Sequence, residues 1–145
     1  MNDTGVRLAI YDGFLKTGHA PSATGMADSL ETSVDDVRAA MERLHTGKAI
    51  VLQPESREVL MANPFCEVPS PYQVRSGDQT WFASCAWDSL GIMAMLETAT
   101  SLHTSCPCCG ESMSLEAAGR RLAPAPGIIH FALPALRWWH NIVFT

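Results

Sequence analysis

The sequence predicts an α+β fold, in which a helical N-terminal part is followed by a smaller unit of strands and one helix. Apolar residues recur at the spacing of amphipathic helices through most of residues 6–46, whereas short apolar runs broken by Pro and Gly follow them. At 145 residues and 47% hydrophobic composition, the chain can bury a core as one domain or two very small ones. We place the boundary after residue 63, which predicts a winged-helix-like domain at 1–63 and a second domain at 64–145.

Three helices and a β-hairpin are predicted for the first domain. The segment VRLAIYDGFLKTG, residues 6–18, has apolar side chains at helical spacing and ends in Gly. A second short helix is predicted at 23–30, and Thr32 or Ser33 caps a third. The apolar stripe of the third helix consists of Val37, Ala40, Met41 and Leu44. The β-like runs KAIVLQ and REVLMA follow, and this order of elements is the winged-helix arrangement.

The charge balance argues against a nucleic-acid partner for this domain. Residues 1–64 carry six Lys and Arg side chains against nine Asp and Glu, and the whole chain has a net charge of −5. The third helix would present Asp35 and Asp36 to a phosphate backbone that repels them. A winged-helix regulator that binds DNA is therefore the weaker alternative to a helical domain that covers a site in the second half.

Neither a membrane span nor a secretion signal is expected. No run of eighteen apolar residues occurs, and the first residues lack a basic segment followed by an apolar one. The cysteines are odd in number, which makes a poor disulfide framework; they are Cys66, Cys85, Cys106, Cys108 and Cys109. The sequence thus predicts a cytoplasmic protein whose clustered thiols bind metal or do chemistry.

The stretch CAWD, from Cys85 to Asp88, lies where a predicted strand, QTWFA, meets a predicted helix. A thiol at a helix N-terminus faces unpaired N–H groups and the positive end of the helix dipole, and both favour the thiolate. Asp88 comes three residues later and projects to the same side of the helix. Cys85 and Asp88 are therefore the candidate catalytic pair. The alternative is a buried cysteine followed by an ordinary first-turn acid.

A second thiol cluster is the turn CPCCG. Cys106 and Cys109 form a C-x-x-C pair followed by Gly, which is the shape of one half of a zinc knuckle. Four ligands are needed for tetrahedral zinc, and His103 and Cys85 could complete this half-site only through tertiary proximity. The candidate metal ligands are Cys85, Asp88, Cys106, Cys108 and Cys109. Zn or Cu is the metal expected at this cluster. The alternatives are a β-turn with exposed thiols and a dithiol site for a soft metal.

The C-terminal segment GIIHFALPALRWWHNIVFT predicts a strand, a short aromatic stretch and a final strand from Ile142 to Thr145. Trp87 and His130 are the candidate residues of a substrate pocket, although a histidine among apolar neighbours is more often a core residue. Trp138 and Trp139 are expected to cover the core.

The motifs PF-x-x-VPSPYQV, WFASCAWDSLGIMAML and IHFALPALRWWHNIVFT, in this order after a winged-helix-like half, resemble the alkylmercury lyase (organomercurial lyase) family over nearly the whole chain. The resemblance implies that Cys85 is the family's first catalytic cysteine and Asp88 its catalytic aspartate, while Cys106 matches a structural cysteine. It also implies cleavage of carbon–mercury bonds by protonolysis, without an organic cofactor or resident metal. Hg(II) is then a product that leaves with a small thiol carrier.

The sequence departs from the family at the second catalytic cysteine, which the resemblance places in or just after IVFT. No cysteine follows Cys109. Three explanations stay open: a natural chain that continues past Thr145 with Cys or selenocysteine, substitution by Cys108 or Cys109, and loss of lyase activity. The last would leave a protein that binds or senses mercury, copper or zinc. The substrate is accordingly an organomercurial or another soft electrophile.

Overall fold

Three helices form the N-terminal part of the computed structural model, which describes residues 3–143. They are α1 at Asp3–Thr17, α2 at Ala23–Ser29 and α3 at Val34–Thr46. Gly18 follows the last residue of α1 and has a φ of 80°, a conformation that glycine adopts without steric cost. The hydroxyl oxygen of Ser33 accepts the N–H of Asp36 at 3.1 Å, so the predicted cap of α3 is confirmed at Ser33.

The strands of the described part form one antiparallel sheet in the order β1-β2-β3-β5-β4-β6-β7-β8. They are β1 at Val51–Leu52, β2 at Val59–Ala62, β3 at Phe65–Cys66, β4 at Gln73–Ser76, β5 at Gln79–Ala83, β6 at Ala99–Ser105, β7 at Ser112–Ala118 and β8 at Arg121–Leu122. Helix α4, Ala86–Leu96, connects β5 to β6, and a 3-10 helix spans Ala135–His140. The predicted mixture of helices and a sheet is confirmed.

Two aromatic contacts join the helices to the sheet. The rings of Phe14 in α1 and Phe65 in β3 are stacked, with centroids 5.1 Å apart. The indole N–H of Trp81 in β5 donates to the carbonyl of Phe14 at 2.6 Å. Both phenylalanines belong to one apolar cluster that reaches from Val6 to Leu102. The core is therefore continuous across residue 63, and the division into two domains there stays a prediction, as does the winged-helix assignment.

Most of the predicted elements before residue 97 are present. The stripe of α3 is buried as predicted, the runs KAIVLQ and REVLMA pair as β1 and β2, and QTWFA is β5. Phe65 and Cys66, for which no strand was predicted, form β3 between β2 and β5. In α4 the buried apolar residues are Ile92 and Met93, whereas Ala94 is exposed.

The C-terminal segment differs most from its prediction. Residues 123–133 contain no strand, and the aromatic stretch is the 3-10 helix instead. The final strand is also absent from its described part, because Ile142 and Val143 lie in a turn; Phe144 and Thr145 lie outside the described residues. Pro124 and Pro126 lie in the segment 123–133, and each lacks the N–H that a strand ladder needs.

Within residues 3–143, none of the helices combines the length and the apolar character that crossing a bilayer requires.

The stacked pair predicts a large effect on stability. Phe14→Ala should lower the free energy of unfolding by about 3–5 kcal/mol, because it removes a fully buried ring and leaves a cavity beside Phe65. Leu8→Ala is the matched control on the same helix, since Leu8 is 64% exposed, and should change it by no more than about 0.5 kcal/mol. Urea unfolding followed by circular dichroism measures both. Equal effects of the two substitutions would contradict the stacked core.

Candidate active site

Cys85 is the N-cap of α4 and contacts Asp88 in two ways. Its backbone is extended, with φ −154° and ψ 176°, and its Sγ accepts the backbone N–H of Asp88 at 3.4 Å. The thiol also donates to Oδ2 of Asp88 at 3.4 Å. Ser89 stabilises the first turn of α4, because its backbone N–H and its hydroxyl group both donate to the carbonyl of Cys85 at 3.0 Å. The predicted pairing of a thiol and a carboxyl group at the helix start is therefore present.

The protonation of this pair differs from the expectation of a thiolate. Burial raises the pKa of the Cys85 thiol, and the charge of Asp88 raises it further, while the N–H groups of Asp88 and Trp87 lower it. Burial also raises the pKa of the Asp88 carboxyl group, against the hydrogen bond from Cys85, which lowers it. Desolvation and a neighbouring carboxylate thus outweigh the helix N-terminus. The raised pKa of Cys85 thus favours the thiol over the thiolate, in keeping with its position as donor to Oδ2 of Asp88.

The pair opens into a small cavity of about 50 Å³. An aromatic wall of three residues, Trp87, Phe131 and Trp138, lines one side of it. The ring centroids of Trp87 and Phe131 are 6.0 Å apart, and those of Phe131 and Trp138 are 5.1 Å apart. The other lining residues are Met61, Asn63, Ser84 and Ile142. The cavity is thus lined by aromatic rings on one side and by the Cys85 thiol and the Asp88 carboxyl group at the start of α4.

Ser84 adds a polar atom that lacks a protein partner. Its Oγ is buried and makes no hydrogen bond within the described structure, and the residue lines the cavity beside Cys85. A buried hydroxyl without a partner costs free energy unless a ligand or a water molecule satisfies it. Ser84 is therefore able to donate to a molecule that enters the cavity.

The sequence predicted only part of this cavity. Trp87 lines it, but His130 is exposed and is not among its lining residues; the neighbouring Phe131 lies there instead. Trp138, expected to cover the core, is part of the aromatic wall, whereas Trp139 packs against the apolar cluster of Val51, Met61 and Cys66. Aromatic residues on an irregular segment give no periodic signal, so the sequence offered no means to assign Trp138 and Phe131 to the cavity.

The cysteine cluster lies in the turn between β6 and β7. The backbone N–H groups of Cys109 and Cys108, followed by the side chain of Cys109, lower the pKa of the Cys106 thiol. Cys108 and Cys109 are exposed. Strands β5 and β6 both pair antiparallel with β4, in a row that joins Phe82, Gln73 and His103. Cys85 comes three residues after Phe82, and Cys106 comes three residues after His103. The two cysteines therefore lie beyond the same end of the sheet.

The predicted metal cluster is not formed by the described residues. No group of three or more His, Cys, Asp and Glu side chains in residues 3–143 is arranged to hold a metal ion. The Zn or Cu site that would combine Cys85 and Asp88 with Cys106, Cys108 and Cys109 therefore receives no support, because β4 separates the strands that carry the two sets. Cys66 is buried in β3, and its raised pKa reflects burial first and also the charges of Glu67 and Asp88.

A comparison with protein families and a comparison with solved structures both find matches to this chain. The family described as "MerB: Alkylmercury lyase" matches residues 65–145, which is more than half of the chain. A solved structure described as the mercury-bound form of MerB2 has a TM-score of 0.66 to this chain at 20% sequence identity. The similarity covers 84% of this chain and 58% of that chain, and at this identity it shows the fold. No curated protein matches the chain.

The pKa of Cys85 should fall when the charge of Asp88 is removed. In Asp88→Asn we expect the rate of alkylation of Cys85 by iodoacetamide to rise at a lower pH than in the parent protein, because the thiolate no longer faces a carboxylate. Mass-spectrometric mapping of Cys85 over a series of pH values measures this shift. Asp78→Asn is the control, since Asp78 is exposed in the turn between β4 and β5. A profile that moves to higher pH in Asp88→Asn would contradict the assigned electrostatics.

Proposed function

Because the chain belongs to the alkylmercury lyase family, we propose that it cleaves the carbon–mercury bond of organomercurials by protonolysis, with Cys85 binding mercury and Asp88 delivering the proton. The observation that carries this proposal is the hydrogen bond between the Cys85 thiol and Oδ2 of Asp88 inside a partly apolar cavity. A soft metal bound to carbon needs a soft ligand, and a thiolate is the strongest one that a protein offers.

The proton needed for the reaction is already present at the site. When mercury binds Sγ of Cys85, the thiol proton passes to the Asp88 carboxylate that accepts its hydrogen bond. The carboxyl group then protonates the carbon, the electron pair of the carbon–mercury bond goes to that carbon, and the hydrocarbon leaves. Hg(II) stays on the sulfur of Cys85. The raised pKa of Asp88 makes this protonated intermediate less costly.

A second sulfur ligand is required to weaken the carbon–mercury bond and to remove the product. We assign this role to a small thiol from solution, because none of the described residues forms a metal-binding group of three with Cys85 and Asp88. Reduced small thiols are abundant in the cytoplasm. The unpartnered hydroxyl of Ser84 would donate to the incoming sulfur, and the aromatic wall would contact the organic group of the substrate.

A non-catalytic relative that binds mercury is the second candidate. The same observation favours it, since one thiol and one carboxyl group in the described cavity suffice to hold Hg(II) together with a solution thiol. The two functions differ in a single product: the lyase releases a protonated hydrocarbon, and the binding protein does not.

The decisive assay supplies an organomercurial with an excess of small thiol to the full chain and measures the released hydrocarbon. Cys85→Ser should abolish release and mercury binding at this site, because the serine hydroxyl is a poor ligand for mercury. Asp88→Asn should lower release by about 10²–10⁴-fold, the usual contribution of a positioned acid, while mercury still binds. Asp78→Asn, an exposed carboxylate outside the cavity, should react as the parent does.

Each outcome separates the candidates. Release that depends on Cys85 and Asp88 establishes the lyase. Tight mercury binding through Cys85 without release identifies the binding protein, and release that survives in both variants contradicts the assignment of the site.

A further inference from the structure

We infer that the cavity at Cys85 selects organomercurials whose organic group is a short alkyl chain, and that Phe131 is the residue that excludes aryl groups. The aromatic wall of Trp87, Phe131 and Trp138 thereby limits the size of the organic group as well as contacting it. Selection during turnover rests on the proposed function, whereas the preference in binding at Cys85 does not.

The volume of the cavity sets the limit on the organic group. The space beside Cys85 measures about 50 Å³. A water molecule needs about 10–15 Å³ of cavity, and an apolar cavity that holds one benzene molecule measures about 150 Å³. A methyl or ethyl group on mercury therefore fits, whereas a phenyl ring needs roughly three times the space that the wall leaves.

The position of the acid keeps the organic group inside this space. Sγ of Cys85 lies 3.4 Å from Oδ2 of Asp88 at the start of α4. Mercury on this sulfur, and the carbon bonded to the mercury, must therefore lie within reach of the same carboxyl group if the carbon is to be protonated. The rings of the wall line the same cavity as this pair, so the rest of the organic group meets them.

Phe131 is the central ring of the wall and contacts both of its neighbours. Its centroid is 6.0 Å from that of Trp87, with the ring planes at 68°, and 5.1 Å from that of Trp138, with the ring planes at 32°. The indole N–H of Trp138 donates to the carbonyl of Leu133 at 2.8 Å, which holds this ring in place. A larger organic group would have to displace Phe131 and would thereby remove both ring contacts.

The ring of Phe131 can be truncated without disturbing the core. Phe131 lies in the segment 123–133, which has no strand, and it is 40% exposed. It is not among the residues of either apolar cluster. The strand and the helix that carry Cys85 and Asp88 therefore stay packed when the ring is removed, so the size of the cavity can be varied separately from the fold.

The test measures how well methylmercury and phenylmercury load Cys85. The full chain, with Asp88→Asn to slow cleavage, is equilibrated with each organomercurial in an excess of monothiol. In this exchange the Hg–S bond to the small thiol breaks, a Hg–S bond to Cys85 forms, and the Cys85 proton passes to the released small thiolate. Alkylation by iodoacetamide, followed by peptide mapping of Cys85, gives the loaded fraction. The intrinsic affinity of each organomercurial for sulfur cancels, because Cys85 competes with the same monothiol.

Methylmercury should load Cys85 about tenfold or more better than phenylmercury, because a single methylene group that a pocket does not fit already changes binding by about 10–200-fold. Adding Phe131→Ala should bring the two close to equal loading, and Phe131→Leu should give an intermediate ratio because it frees less space. Leu136→Ala is the matched control and should keep the parent ratio, since Leu136 is 92% exposed and does not line the cavity. Circular dichroism confirms that each variant is folded.

Equal loading of Cys85 by the two organomercurials would overturn the size limit, and so would a ratio that Phe131→Ala leaves unchanged. The lyase is tested separately, by the release of methane and benzene from the chain with Asp88 intact. A loading preference without release of either hydrocarbon would keep the size limit and reject the lyase. Release of both hydrocarbons at equal loading would keep the lyase and reject the size limit.

Discussion

The start of α4 at Cys85 is the constraint on which the candidate active site depends. Side-chain oxygens of Ser, Thr, Asp and Asn are the usual N-caps, yet here a sulfur accepts the N–H of Asp88 at 3.4 Å. Sulfur is a weak acceptor, so a cysteine is a poor choice for the cap alone. The capping geometry also places the thiol against Oδ2 of Asp88, and this is the contact on which the proposed chemistry depends.

This helix start is held in place by the core behind it. Trp81 and Ala83 of β5 are buried, and Trp81 is bonded to the carbonyl of Phe14 in α1. On the helix side, Ile92 and Met93 are buried within the same apolar cluster. The strand and the helix that meet at Cys85 are therefore both anchored in the same core, which leaves the connecting turn few conformations. The helical half of the chain contributes to the site through this support.

The parts that sequence analysis predicted are those with local causes. The stripe of α3, the cap at Ser33 and the strand QTWFA follow from periodicity and turn chemistry. The strand β3 was missed because two residues carry no pattern, and its pairing with β2 and β5 is set by the tertiary fold. The electrostatics of Cys85 were predicted only in part: the helix start supplies N–H groups that lower the pKa of the thiol, but burial, which the sequence does not give, raises that pKa, and so does the charge of Asp88.

The surroundings of Cys85 connect mercury binding to the supply of a proton. Burial and the neighbouring charge of Asp88 raise the pKa of the thiol, so the site favours the protonated sulfur over the free thiolate. A metal that binds this sulfur displaces the proton next to Oδ2 of Asp88, which is where the proposed reaction needs it for carbon. A site that favoured the free thiolate would still bind a soft metal, but it would hold no proton beside the bond to be cleaved.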